Sequence, residues 1–139
     1  DINPVGVLIM NIVVVDGGGL AGEADFPEIN LGKFGWIQYP RLESDQVSEK
    51  CWRSDVIISV STPITQEVID KAFKLKLIVV AGDACEHVDM AAAQARGIIV
   101  SNTPSLNPVD PACTQKICDG VVDNINAFLK GGKRNVVSS

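Results

Sequence analysis

Three stretches of the 139-residue chain are continuous runs of apolar, mostly β-branched residues. They are Ile12-Val13-Val14-Val15, Val56-Ile57-Ile58 and Leu77-Ile78-Val79-Val80. A strand with one face in water alternates apolar and polar residues, whereas a strand that is apolar throughout is buried on both faces. The three runs therefore predict a parallel sheet that is covered by helices on both sides.

Two further segments complete a set of five predicted strands: Asn11–Val15, Trp36–Tyr39, Val56–Val60, Leu75–Val80 and Ile98–Ser101. Between them lie three short predicted helices, each opened by a residue that favours the N-cap: Ser44 to Trp52, Thr65 to Phe73 and Asp89 to Arg96. Phe73 is expected on the buried face of the second helix, and Gly97 is expected to end the third. A last helix carries one apolar stripe: Ile117, Val121, Ile125, Phe128 and Leu129. Alternating β and α units predict a flavodoxin-like three-layer α/β/α sandwich with strand order 2-1-3-4-5.

Charge and composition exclude several classes of partner. The chain has 17 acidic and 12 basic residues, a net charge of −5, and no basic cluster, which argues against binding to nucleic acid or to an anionic membrane surface. The longest apolar run, Val5 to Val15, is too short for a membrane span and contains Asn11. We therefore expect no membrane segment, and we expect a cytoplasmic protein because nothing in the cysteine content demands an oxidising compartment.

The four cysteines share the chain with a single histidine and form no CxxC pair, so a metal site is not expected. Free, mostly buried thiols are the expectation. Met10 is typical of a native start that leads directly into a strand, so residues 1–9 are interpreted as an extension or a vector-derived segment. Residues 10–137 then form one domain.

A glycine-rich turn follows the first strand. Gly17 to Gly22 formally match the G-x-G-x-x-G dinucleotide fingerprint, which requires a helix that begins at once and an acidic residue after the second strand. Pro27 interrupts the segment where that helix would lie, and Tyr39-Pro40-Arg41 stands where the acid would be. No cofactor-binding residues are therefore assigned, although a nucleotide-binding domain remains a disfavoured alternative.

A phospho-acceptor receiver domain is a second function found on flavodoxin-like folds. It requires an acceptor aspartate after the third strand, where this chain has Ser59-Val60-Ser61-Thr62. The receiver interpretation is disfavoured.

The region around the fourth strand carries the most specific pattern. A Gly82-containing turn leads to His87-Val88-Asp89, an alanine-rich helix, Arg96-Gly97-Ile98 and Asn102-Thr103-Pro104. In its order and spacing this run resembles the substrate-binding domain of the D-2-hydroxyacid dehydrogenases, which include glycerate, phosphoglycerate and formate dehydrogenases. Two outer segments are similar to the same family: Asp55–Thr65, one βα unit upstream, and Asn124–Val137, the C-terminal helix and tail. The glycerate dehydrogenase branch is the most similar.

The resemblance also implies what the chain does not carry. In that family a nucleotide-binding domain, with the catalytic Arg, Glu and His, is inserted before the C-terminal helix. Here residues 108–114 form the junction, and no such domain lies in it. The resemblance therefore implies an isolated substrate-binding domain without catalytic residues, inactive on its own, with NAD or NADP bound only in the full-length family.

The family's substrate carboxylate is held by backbone amides of the turn after the fourth strand, which maps to Gly82, Asp83, Ala84 and Cys85. The family has a neutral residue at the Asp83 position and glycine at the Ala84 position, so the Asp83 charge would repel an anionic substrate. Further residues that the resemblance places near the substrate are Asn107, Ser61 and Thr62. His87 and Asp89 are expected to have structural roles at the start of a helix, and Cys85 to be a packing thiol.

The leading functional hypothesis is the substrate-binding domain of an NAD(P)-dependent enzyme that interconverts 2-oxo acids and D-2-hydroxy acids. The alternative is a stand-alone module that binds a small acid or has a regulatory role on the same scaffold. The expected partners are a small 2-oxo or 2-hydroxy acid and, through the exposed former domain interface, a second copy of the chain.

Overall fold

The computed structural model describes residues 10–137; the predicted extension, residues 1–9, lies outside the described residues. The elements in chain order are β1 (Met10–Val14), β2 (Phe34–Gln38), α1 (Ser44–Cys51), β3 (Val56–Ser59), α2 (Gln66–Lys71), β4 (Leu77–Val80), α3 (Met90–Ala95), β5 (Ile99–Ser101) and α4 (Thr114–Leu129). All neighbouring strands pair in parallel, and the sheet order is β2-β1-β3-β4-β5. The predicted fold class and strand order are confirmed.

Each face of the sheet is covered by its own apolar layer. On one face α1, α2 and α3 bury side chains such as Val47, Val68 and Ala93 against Val13 of β1, Val15 directly after it and their neighbours. On the other face α4 packs its stripe of Ile117, Val121 and Ile125, which are fully buried. The continuous apolar strands are thus buried on both sides, as their composition predicts.

The second face departs from the usual alternation because no helix or strand lies between residues 20 and 33. This irregular segment covers the sheet beside α4 with Leu20 and Ile29, which are both buried. Thr114 fixes it to the start of α4, since its Oγ1 donates to the carbonyl of Ala21 at 2.7 Å.

Two details of the predicted helices are wrong. The N-cap of α1 is Glu43, not Ser44, because Glu43 and Gln46 form a reciprocal capping box. Phe73 is 60% exposed instead of buried, because α2 ends at Lys71 and the chain leaves the helical path before it reaches that residue.

The Arg96 side chain, directly after α3, provides hydrogen bonds for the unpaired carbonyl groups at the end of α2. The Arg96 guanidinium donates to the carbonyls of Ile69, Ala72 and Phe73, with the latter two at 3.2 and 3.1 Å. These bonds satisfy carbonyls that a longer helix would have paired itself. The predicted N-caps Thr65 and Asp89 are confirmed, since each accepts a hydrogen bond from the backbone three residues on.

Beyond α4 the chain returns to the sheet. Ser101 of β5 forms an antiparallel bridge with Val136, and Val137 N donates to Val100 O at 2.8 Å. The Asn124 amide, buried in α4, donates to Asn102 O at 2.8 Å and accepts from Asn135 at 3.2 Å. The last helix and the tail therefore fix the loop that leaves β5.

Of the four cysteines, two are buried and two partly buried, and all are free thiols. Burial raises the pKa of Cys51 and Cys118 to about 11. Among residues 10–137, no helix combines the length and hydrophobicity of a transmembrane span. The same part of the chain contains no cluster of three His, Cys, Asp or Glu side chains that could bind a metal.

Candidate functional site

A cavity of about 440 Å³ lies at the carboxyl ends of β3, β4 and β5, where the loops after these strands meet. Five of the seven predicted site residues line it: Ser61, Gly82, Asp83, Ala84 and Asn107. The remaining lining residues are Val60, His87, Ser105, Leu106 and Pro108. Ligands of open parallel sheets bind at this edge, so the cavity is the candidate site.

The turn after β4 contributes backbone donors to the cavity wall. The N–H groups of Gly82, Asp83 and Ala84 have no hydrogen-bond acceptor within residues 10–137. Gly82 has a φ of +150°, and a Cβ on it would lie 2.9 Å from Cγ of Pro108. Only glycine therefore fits at this point, and three consecutive backbone donors are left for a ligand. Backbone N–H groups clustered in this way bind anions without the help of a side chain.

The Asp83 carboxylate connects this turn to the loop after β5. Its Oδ1 accepts from Ser105 N at 2.8 Å, and its carbonyl accepts from Asn102 Nδ2 at 3.0 Å. Asn102 is buried and is itself held by Asn124. Asp83 is exposed to solvent at the cavity wall, and these two bonds hold it against the loop after β5.

Asn107 and Ser61 lie on opposite loops of the same cavity. Asn107 Oδ1 accepts from Val109 N at 3.2 Å, so its oxygen stabilises its own loop and its amide group remains for a ligand. Ser61 is exposed, and its backbone N–H donates to Oδ2 of Asp16 at 2.9 Å.

Asp16 is a residue that the sequence analysis missed. It is 1% exposed at the end of β1, and it accepts from the N–H groups of Val60, Ser61 and Thr62 at 2.7–2.9 Å and from the Thr62 hydroxyl at 2.7 Å. This carboxylate fixes the loop after β3. The sequence signal that could have identified it is a charged residue directly after a predicted buried strand.

Two predicted site residues do not line the cavity. Thr62 is buried behind the loop because its hydroxyl and its N–H both bind Asp16. Cys85 packs against the core under α1–α3, with its Sγ 3.7 Å from the carbonyl of Asp83. Burial, followed by the charges of Glu86 and Asp83, raises the pKa of this thiol. Its predicted role as a packing residue agrees with this position.

His87 lies in the cavity wall, a position that the sequence analysis did not assign to it. Its carbonyl accepts from Ile64 N at 2.9 Å, which connects the loops after β3 and β4. Its Nε2 is buried without a hydrogen-bond partner in the described part of the chain. Burial lowers the pKa of His87, while the negative charges of Asp16 and Glu86 act in the opposite direction. The imidazole is therefore neutral at pH 7.

The glycine-rich turn after β1 is not arranged to bind a nucleotide. Gly17 N donates to Tyr39 O, Gly18 N donates to Pro40 O, and Gly19 N donates to Asp16 O, each at 2.9 Å. A short 3₁₀ turn, and no α-helix, follows β1. Because the amides are already paired and no helix N-terminus is present, these residues do not fit the pyrophosphate of a dinucleotide.

Comparisons of sequence and of structure with known proteins agree on one family. The model of the D-isomer specific 2-hydroxyacid dehydrogenase catalytic domain matches residues 23–138. D-3-phosphoglycerate dehydrogenase of Methanocaldococcus jannaschii is 39% identical over 72 residues, which are 51% of this chain and 14% of that protein. The human D-3-phosphoglycerate dehydrogenase is 34% identical over 82 residues, 56% of this chain and 15% of that protein.

Among solved structures, NAD⁺-bound 3-phosphoglycerate dehydrogenase of Entamoeba histolytica aligns with a TM-score of 0.54 and 26% identity, over 70% of this chain and 33% of that one. The chain thus spans a third or less of the length of each of these three proteins. The family match nevertheless covers most of the sequence and includes every cavity residue. The chain therefore belongs to the D-isomer specific 2-hydroxyacid dehydrogenase family, and its match is to the catalytic domain of that family.

Proposed function

We propose that this domain binds the substrate of an NAD(P)-dependent 2-hydroxyacid dehydrogenase. It would hold the carboxylate of a small 2-oxo or 2-hydroxy acid, while a separate domain would bring the nicotinamide to C2 for hydride transfer. The observation that carries the proposal is the turn at Gly82, Asp83 and Ala84, which leaves three backbone N–H groups unpaired at the cavity wall.

Hydrogen bonding supports this assignment. A carboxylate accepts several N–H donors at once, and such charge-assisted bonds are about twice as strong as neutral ones. The amide of Asn107 and the hydroxyl of Ser61 lie on the opposite loops of the cavity, where they can bond to the 2-oxo or 2-hydroxyl oxygen. A carboxylate bound at the turn would therefore also be oriented.

The test is a titration of the ¹⁵N-labelled chain with glyoxylate, followed by amide NMR. We expect roughly millimolar binding with the largest shifts at residues 82–84. Gly82→Ala places a methyl group against Pro108 and should abolish binding.

Gly97→Ala is the matched control, since Gly97 also has a positive φ but a Cβ there would meet no atom within 4 Å. It places alanine at a positive φ without closing the cavity. Equal loss of binding in both variants, or shifts that avoid the turn, would contradict the proposal.

We also propose that the domain alone neither binds nicotinamide cofactor nor reduces 2-oxo acids. The reaction requires cofactor, substrate and an acid–base group held together, and general acid–base assistance alone contributes about 10²–10⁴-fold. Incubation of the chain with NADH and glyoxylate should give no oxidation of NADH. Turnover that copurifies with the chain, or submicromolar binding of a small acid, would instead favour the stand-alone module.

The proposed dimer rests on the loop that precedes α4. Val109 is 72% exposed there, next to Pro108, and apolar surface of this kind promotes association. We expect sedimentation to show a concentration-dependent dimer that Val109→Glu weakens; a strict monomer at high concentration would contradict it.

We also propose a cytoplasmic location for this protein, since its four free thiols suit a reducing compartment.

A further inference from the structure

The cavity has an unusual balance of charge for a site that binds acids. Asp83 is the only residue of its lining that carries a full charge, and within residues 10–137 the lining contains no lysine or arginine. His87 does not compensate, because burial lowers the pKa of its imidazole and keeps it neutral at pH 7. The described wall therefore has a net negative charge.

The Asp83 charge is held in place at the anion-binding turn. Its Oδ1 accepts from Ser105 N at 2.8 Å, whereas its Oδ2 has no hydrogen-bond or ion-pair partner among the described residues. The free N–H groups of Gly82 and Ala84 lie directly before and after it in the chain. A ligand carboxylate bound by these amides would therefore lie close to the Asp83 carboxylate.

Two opposing interactions then determine the affinity of the cavity for an acid. The backbone donors stabilise one carboxylate through short hydrogen bonds, and these bonds contribute the same binding free energy for every small acid. The Asp83 charge repels each negative charge in the cavity, and that repulsion grows with the charge of the ligand. The hydrogen bonds offset one charge, but within the described wall nothing offsets a second.

Building on the carboxylate site of the proposed function, we propose that Asp83 is a specificity-determining residue that restricts the cavity to acids with a single negative charge. Its substrate class is then a short, unphosphorylated 2-oxo or 2-hydroxy acid. A phosphorylated acid would be rejected by electrostatic repulsion and not by size.

The test compares one singly charged and one phosphorylated ligand on matched variants. Glyoxylate and 3-phosphoglycerate are titrated by NMR or calorimetry into the wild-type chain, Asp83→Asn and Asp70→Asn at low ionic strength. Asp83→Asn removes the charge but retains an oxygen that can accept from Ser105 N, so the turn is preserved. Asp70→Asn is the control, since it makes the same change in net charge on the exposed surface of α2.

We expect the wild-type chain to prefer glyoxylate and Asp83→Asn to improve 3-phosphoglycerate binding by roughly threefold for each added charge, because Asp83 is exposed to solvent, with a smaller gain for glyoxylate. Asp70→Asn should leave both affinities within about twofold, because a distant exposed charge is screened. Added salt should reduce the wild-type preference, which provides an independent measurement even if Asp83→Asn does not fold.

The outcomes separate the two proposals. If glyoxylate binds at the turn but Asp83→Asn improves both ligands equally, or the wild-type preference does not respond to salt, the charge selectivity is overturned and the carboxylate site stands. If neither ligand binds any variant, the carboxylate site itself is overturned, and the selectivity with it.

Discussion

Two glycine-containing turns leave the same edge of the sheet, one after β1 and one after β4. Each follows a buried strand and carries the residues that suggest an anion site. In the first turn the N–H groups of Gly17, Gly18 and Gly19 all donate to carbonyls of the protein itself. In the second, those of Gly82, Asp83 and Ala84 have no partner in the described residues. Unpaired backbone donors, and not glycine content, are what a turn needs in order to bind an anion.

The neighbouring carbonyls account for this difference. The turn after β1 faces the chain that leaves the adjacent strand β2, whose Tyr39 and Pro40 carbonyls point to the glycine amides. The turn after β4 faces the loop after β5, where Ser105 donates to Asp83 and Pro108 lies against Gly82. The loop after β5 thus presents the Ser105 N–H donor and the Pro108 ring to the turn, and none of its carbonyls accepts a hydrogen bond from the turn. The backbone N–H groups of the second turn therefore remain unpaired among the described residues.

The largest effect is expected from Asp16→Ala, which would release the loop after β3 that faces both turns. The substitution leaves three backbone N–H groups without an acceptor in a buried site, so the free energy of unfolding should fall by about 3 kcal/mol or more. Urea denaturation measures the loss. Asp70→Ala on α2 is the control and should change stability by about 0.5 kcal/mol or less; equal effects of the two substitutions would show that the Asp16 bonds contribute little.

Gly18→Ala tests how tightly the first turn is closed. A Cβ on Gly18 would lie 2.7 Å from the carbonyl oxygen of Pro40, so the two loops must move apart, at a cost of about 1–3 kcal/mol. Gly32→Ala is the control, because a Cβ there would meet no atom within 4 Å. Thermal denaturation of both variants gives the comparison, and an unchanged melting temperature for Gly18→Ala would mean that the turn is more open than a 2.7 Å approach implies.

Asn102→Ala tests the support of the second turn. It removes the bond from Nδ2 to the carbonyl of Asp83, and we expect a loss of about 1–2 kcal/mol in stability. Hydrogen exchange should become faster at the N–H groups of Thr103 and Ser105, which donate to Gly82 O and Asp83 Oδ1, while Gly17 to Gly19 remain protected. Asn126→Ala, whose side chain instead accepts from Asn30 N, is the control; acceleration of both turns to the same extent would show that they are not independent.

The smallest effect concerns pH and the His87 side chain. Burial lowers the pKa of His87 from its ordinary value of 6.5, so the unfolded chain binds the proton more readily than the folded one. Stability should therefore decrease as the pH falls below about 6.5, and His87→Gln should remove this part of the decrease. Urea denaturation of both proteins at pH 7.5 and pH 5.5 measures it; an identical pH dependence would contradict the assignment.

Local sequence patterns determined much of this architecture. Apolar runs predicted strands buried on both faces, and the alternation of strands with short helices predicted their order. Thr65, Asp89 and Gly97 marked helix ends because capping depends on neighbouring backbone groups within three or four residues. The apolar stripe of α4 followed in the same way from a helical period of 3.6 residues.

Only the tertiary structure decided which amides remain free and which side chains face the cavity. The partners of Asp16 lie 44–46 residues away in the chain, and the turn at Gly82 depends on a loop more than 20 residues further on. Phe73 is exposed for a similar reason, since Arg96 from another helix satisfies the carbonyls at the end of α2. Such contacts depend on how distant segments meet across the sheet, and the local pattern around each residue does not contain that information.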